Sequence, residues 1–94
     1  MKVYQASKLA AGVSKIFPHK IIIGDNSVTI SEPGLFGAKE KTIPFSKIAS
    51  VNIDSPLIGF SKITIETTGN DSLTINGFTK DEVREMKQTI LGKI

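Results

Sequence analysis

Thr42-Ile43-Pro44-Phe45-Ser46-Lys47-Ile48 is the stretch on which the fold of this chain turns. Pro44 fixes φ and removes a backbone donor, so a strand arriving from Lys39 and running to Phe45 ends there. Ser46-Lys47 turns the chain, and Ile48 re-enters a core. A tight corner of this kind joins one sheet to another and carries no reactive chemistry of its own.

Downstream of the corner, Ile48–Asp54 alternates. Ala49, Val51 and Ile53 fall on one face and Ser50, Asn52 and Asp54 on the other, which predicts a strand closed by Ser55-Pro56. Leu57-Ile58-Gly59-Phe60 follows as an apolar connector. Lys62–Thr67 and Ser72–Asn76 then alternate around the turn Thr68-Gly69-Asn70-Asp71, with Ile63, Ile65, Leu73 and Ile75 inward. Gly77-Phe78 reads as the exit from the sheet. Upstream, Ile16–Ile23 is rich in β-branched residues, and Pro18 confines its first half to an edge or a bulge. Gly24-Asp25-Asn26-Ser27 is a turn, and Val28–Ser31 the returning strand of a hairpin. Glu32-Pro33-Gly34 is expected to break that strand ahead of Leu35-Phe36-Gly37. Over residues 3–13, Val3, Ala6, Leu9, Ala10 and Val13 fall on one side of a short helix that Gly12 weakens.

The C-terminus carries the strongest helical signal. Thr79 and Glu82 form a T-x-x-E capping box. Asp81 and Glu82 occupy the first turn and Lys93 the last, as the helix dipole prefers. Val83, Met86, Ile90, Leu91 and Ile94 lie within an arc of roughly 140°, a one-sided apolar stripe. Lys87 falls inside that arc and runs its stem along the sheet, unless Leu91 is peripheral and the stripe narrower. Five or six strands followed by one amphipathic helix make an α+β meander. The strands curl into an open barrel that the helix caps at one end.

Pro33-Gly34-Leu35-Phe36-Gly37 followed by Thr42–Ile48 resembles the bacterial pleckstrin-homology-like (PH-like) domain. That family has a "G-L-hydrophobic-G" turn, a basic strand and an "I-P-hydrophobic-polar-K/R-I" signature, matched here by Ile43–Ile48. A strand, an apolar connector (Leu57–Phe60), a hairpin (Ile63–Ile75) and a helix opening on Thr79-Lys80-Asp81-Glu82 complete the likeness. It covers residues 15–94 and leaves 1–14 as a separate N-terminal segment with the short helix. It implies a partly open β-barrel of two near-orthogonal antiparallel sheets capped by the C-terminal α-helix. Members elsewhere bind phosphoinositides through basic residues flanking the first hairpin loop. Here Lys20 precedes that loop, but the loop contains Asp25 and the strand Val28-Thr29-Ile30 has no basic residue, which argues against phosphoinositide binding. Many bacterial relatives look like interaction or assembly modules.

Composition sets the remaining limits. Ninety-four residues suit one domain, which at this size buries a little over ~60% of its unfolded surface. With no cysteine there is neither a disulfide nor a thiolate metal site. A hydrophobic content of 39% and a charged content of 22% describe a folded chain. The longest aliphatic run is Ile21–Ile23, far short of the ~20 residues of a membrane span. Lys8 and Lys15 interrupt any signal-peptide apolar region, which predicts an untargeted, cytoplasmic protein. The net charge of +3 rests on lysines spread along the chain, with Arg84 the only arginine. That scatter argues against nucleic acid, which needs a clustered patch.

No catalytic, cofactor or metal site is expected. His19 is the only histidine. Asp25-Asn26-Ser27 resembles the start of a calcium loop, yet Phe36 occupies the position of its closing acid. Phosphate-loop, nucleophile-elbow and zinc-protease motifs are missing from the sequence. Two apolar clusters beside turn residues rise above background: Leu35-Phe36 and Leu57-Ile58 with Phe60. They either plug the ends of the barrel or form an exposed patch for a protein partner, a second copy or a membrane surface. The reading is a non-enzymatic binding or self-assembly module, a homo-oligomer or the ligand of an unknown protein. The alternative is a weak peripheral binder of anionic lipid that inserts Phe36 or Phe60 beside nearby lysines.

Overall fold

A computed structural model describes residues 2–6, 19–34 and 37–94. Among them, the elements in chain order are β1 (Lys2–Gln5), β2 (Lys20–Ile23), β3 (Ser27–Gly34), β4 (Gly37–Pro44), β5 (Ile48–Asp54), β6 (Ser61–Thr67), β7 (Ser72–Phe78) and α1 (Lys80–Leu91). All ladders are antiparallel. They form a four-stranded sheet, β1-β2-β3-β4, and a three-stranded sheet, β5-β6-β7, with no ladder among the described residues joining the two. This is the expected α+β arrangement of two sheets left open, with a single C-terminal helix.

The corner lies where expected. Phe45–Lys47 makes one 3-10 turn, and Ile43, Phe45 and Ile48 around it are buried. Two backbone bonds fasten it. The Phe45 amide donates to the Asn26 carbonyl at 3.0 Å, and the Thr68 amide donates to the Lys47 carbonyl at 2.9 Å. The corner therefore ties the β2–β3 loop to the β6–β7 loop and holds one end of each sheet together.

Pro33 does not break its strand. β3 runs on to Gly34 and pairs with β4 through Pro33↔Ala38 and Gly34↔Gly37. Because the Phe45 amide bonds to Asn26, residues 26 and 45 form a hydrogen-bonded pair. Alternation then makes Ser27↔Pro44 and Pro33↔Ala38 non-hydrogen-bonded pairs, so neither proline owes its neighbour a donor. On the other side β2 ends opposite Ser31, and among the described residues no strand pairs with Pro33 there.

The N-terminal helix is also corrected. Lys2–Gln5 is a strand paired with β2 from Lys2↔Ile23 to Gln5↔Lys20; residues 7–13 of that expectation lie outside the described residues. A helix with a face of small residues buries little and must nucleate alone. The open edge of β2 offers ready backbone partners, and joining it buries Tyr4 and Ala6.

Two bulges shift the alternation. The β5–β6 register passes from Ile48↔Thr67 to Ser50↔Glu66, so Ala49 is the extra residue. Ala49 is thus exposed rather than inward, while Ile48 and Val51 are both buried. The β6–β7 register passes from Lys62↔Asn76 to Ser61↔Phe78, so Gly77 is extra there. Gly77 takes φ +115°. Phe78 therefore stays in the sheet and is wholly buried, instead of leading out of it.

The capping box is complete. The Glu82 amide donates to Thr79 Oγ1 at 3.1 Å, and the Thr79 amide donates to Glu82 Oε1 at 2.9 Å. Helix α1 packs on β5 and β6 through Val83, Met86 and Ile90, which are inaccessible to solvent. Leu91 and Ile94 are exposed, so the stripe is the narrower one. The helix ends at Leu91, and Lys93 lies beyond its last turn.

Candidate interaction site

The β5–β6 connection carries the apolar cluster Leu57, Ile58 and Phe60. Ser55-Pro56 stops β5, and the chain leaves the sheet. Leu57 is 94% exposed, Ile58 92% and Phe60 38%. Leu57 and Ile58 plug nothing; their side chains stand in solvent. Gly59 takes φ +102°, and a Cβ placed there would meet nothing within 4 Å. Glycine is needed here for its left-handed backbone and not for a close approach. Ser61 then enters the core completely. Its hydroxyl finds no partner among the described residues. The loop leaves the sheet between an acid and a base: Asp54 and Lys62 are opposite in register and their charged groups are 3.9 Å apart. The other expected members of the patch, Leu35 and Phe36, lie outside the described residues.

The first hairpin loop is of a different kind. The Gly24 amide donates to the Ser27 carbonyl at 2.9 Å, and Asp25 and Asn26 are exposed. Lys20 lies at the far end of β2, opposite Ser31, about 10 Å along the strand from the loop. The basic residue that the register brings beside the loop is Lys2, opposite Ile23. Its ammonium pairs with the Glu85 carboxylate of α1.

Glu85 also accepts from the Tyr4 hydroxyl at 2.9 Å. Burial, then the Glu85 hydrogen bond and the charges of Glu85 and Glu82, push the Tyr4 phenol up to about 12. Lys2, and after it Tyr4, hold the Glu85 carboxyl below its usual range. This cluster binds the helix to β1, linking the second sheet's helix back to the first sheet. The sequence hides this cluster, because the apolar residues over 3–13 follow a helical period. The alternation that places Lys2 and Tyr4 on one side spans only four residues, too few to compete.

His19 is half-buried, and its backbone carbonyl accepts from the Ala6 amide at 2.8 Å. Among the described residues no three His, Asp or Glu side chains come together, and no helix is long and apolar enough to cross a membrane.

Comparison with curated proteins and with solved structures finds no match. A family model does match: that of the bacterial PH domain, over residues 7–94. The matched span contains the corner, every strand from β2 onward, the exposed β5–β6 loop and the capped helix. A match over all but the first six residues decides the matter, and the chain belongs to the bacterial PH domain family.

Proposed function

We propose that this PH domain is a non-enzymatic self-assembly module in which Leu57, Ile58 and Phe60 make the contact. Membership of a family of binding modules supports the general reading. The observation that carries the specific one is the near-complete exposure of Leu57 and Ile58 on a short loop of a small domain. Burying one such side chain yields ~1.5–3 kcal/mol, so a few of them per copy suffice for association at micromolar concentration. A closed symmetric oligomer buries the loop of every copy at once.

A second copy suits this loop better than an anionic bilayer. The Lys62 ammonium at its base faces the Asp54 carboxylate, which weakens its pull on acidic lipid. The β2–β3 loop is a poor phosphoinositide site on the same reasoning, since Asp25 is exposed and the Lys2 ammonium is engaged by Glu85.

Light scattering on the purified chain tests the proposal. The parent should assemble, and Ile58→Glu should remain folded with a reduced mass. A parent that stays monomeric at millimolar concentration would sink the reading. Salt-sensitive sedimentation with anionic vesicles, lost in Ile58→Glu, would replace it with the lipid-binding alternative.

A further inference from the structure

We propose that the outer edge of β7 pairs, antiparallel and across a two-fold axis, with β7 of a second copy. The surface is distinct from the β5–β6 loop and does not depend on it. The β6–β7 ladder shows which groups are available. The Thr67 amide donates to the Asp71 carbonyl at 2.8 Å, so residues 67 and 71 form a hydrogen-bonded pair. Alternation up the ladder makes Ile65↔Leu73 and Ile63↔Ile75 the next bonded pairs. The close approach of the Thr64 and Thr74 hydroxyls, 2.9 Å apart, fits the non-bonded pair between them. The N–H and C=O groups of Ser72, Thr74 and Asn76 therefore point away from β6. Among the described residues no strand lies there to receive them.

The other sheet edges are guarded. β4 presents exposed Lys39, Glu40 and Lys41 and ends in Pro44. β1 is four residues long and begins with Lys2. β5 has the Ala49 bulge and Asp54 and lies against α1. Charges, prolines, bulges and short length are the usual protections of an edge. β7 reads Ser-Leu-Thr-Ile-Asn-Gly-Phe, with no charge and no proline.

That strand is also complementary to itself. A two-fold axis at Thr74 sets Ser72 against Asn76 and Thr74 against Thr74, and each of these pairs exchanges two backbone hydrogen bonds. The side chains so paired are short, uncharged and exposed, and a threonine pair is a favourable neighbour across a ladder. On the opposite face Leu73, only partly buried, meets Ile75 of the second copy. The product is a six-stranded sheet running through both molecules.

Hydrogen exchange and light scattering on the full chain test this. In the parent at high concentration the amides of Ser72, Thr74 and Asn76 should be protected, and the mass should be a multiple of the chain's. Thr74→Pro removes an amide that β6 does not use, so the monomer should fold and the pairing should fail. For a simple dimer the mass then falls twofold. Thr74→Lys sets two ammonium groups face to face and should act likewise if proline disturbs folding. A parent in which those three amides exchange as fast as loop amides at millimolar concentration overturns the proposal whatever the variants do. So does a folded Thr74→Pro whose mass is unchanged. If Thr74→Pro is dissociated and Ile58→Glu is not, the edge stands and the loop reading falls; the reverse result keeps the loop and rejects the edge.

Discussion

Two groups of large aliphatic side chains meet opposite fates in this domain. Val83, Met86 and Ile90 on α1 are inaccessible to solvent, whereas Leu57 and Ile58 on the β5–β6 loop are 94% and 92% exposed. Composition does not separate them; repetition does. The helical residues recur at the spacing of one helix face, so a single rigid element delivers all three to β5 and β6 together. The loop residues are consecutive, follow a proline and flank a glycine of positive φ. No regular element aims them at a common surface. An apolar run without a period is thus the kind that a small fold leaves outside, where it is free to meet another molecule.

Truncating each group is the direct way to break this contrast. Met86→Ala should cost about 2–5 kcal/mol, since a fully buried methionine is removed from a packed contact. Gln88→Ala, on the exposed side of the same helix, should cost less than about 0.5 kcal/mol. Equal urea midpoints for the two variants would mean that the helix is turned another way.

The attachment of α1 to β1 comes next in size. Tyr4 has its proton held up to about 12, against an ordinary value of 10.0. Below the ordinary value the phenol is neutral in the folded and unfolded chain alike, and stability is fully present. Above it the unfolded chain gives up its proton first, so stability falls as pH rises toward about 12. Tyr4→Phe should flatten that alkaline decline. The chain has one tyrosine and no tryptophan, so the ultraviolet titration of the phenolate reports Tyr4 alone. A midpoint at the ordinary value in the folded protein would show that the hydroxyl is not buried against Glu85.

Removing the cap probes the helix without touching its packed face. Thr79→Ala should cost about 1 kcal/mol, because two amides at the helix start lose their acceptors or their geometry. A chemical midpoint unchanged from the parent would show that burial alone fixes where the helix begins. The smallest effect belongs to the loop. Ile58→Glu should shift the stability of the monomer by no more than about 0.5 kcal/mol, since the side chain has almost no contacts to lose. Unfolding of that variant would erase the contrast altogether.

Much of the fold was legible because its signals are local. The corner at Pro44–Ile48, the β2–β3 turn, the paired strands β6 and β7 and the capped helix each follow from spacing within one element. Pairing between strands is what the local signals do not record. Pro33 looks like a breaker until the register places it opposite Ala38 at a position that needs no donor. Ala49 looks inward until a bulge shifts it. Val3 to Gln5 look helical until β2 supplies an edge. The candidate site was visible as an apolar cluster, Leu57, Ile58 and Phe60, while the Lys2–Tyr4–Glu85 cluster was not, because its members are some eighty residues apart.

The amino-acid sequence by itself determined the α+β class, the order of most elements, the corner between the sheets and both ends of the apolar stripe's inner part, Val83 and Ile90. These depend on periodicity, capping and the fixed φ of proline, which act over a few residues. Only the tertiary structure decided that β1 joins the first sheet, that bulges at Ala49 and Gly77 redirect the strands, and that Leu57 and Ile58 face water. It also decided which edge of each sheet has no partner strand among the described residues. The physical reason is common to all of these. A backbone donor or an apolar side chain is satisfied by whatever lies opposite, and what lies opposite is set by register between distant strands, which no short stretch of sequence records.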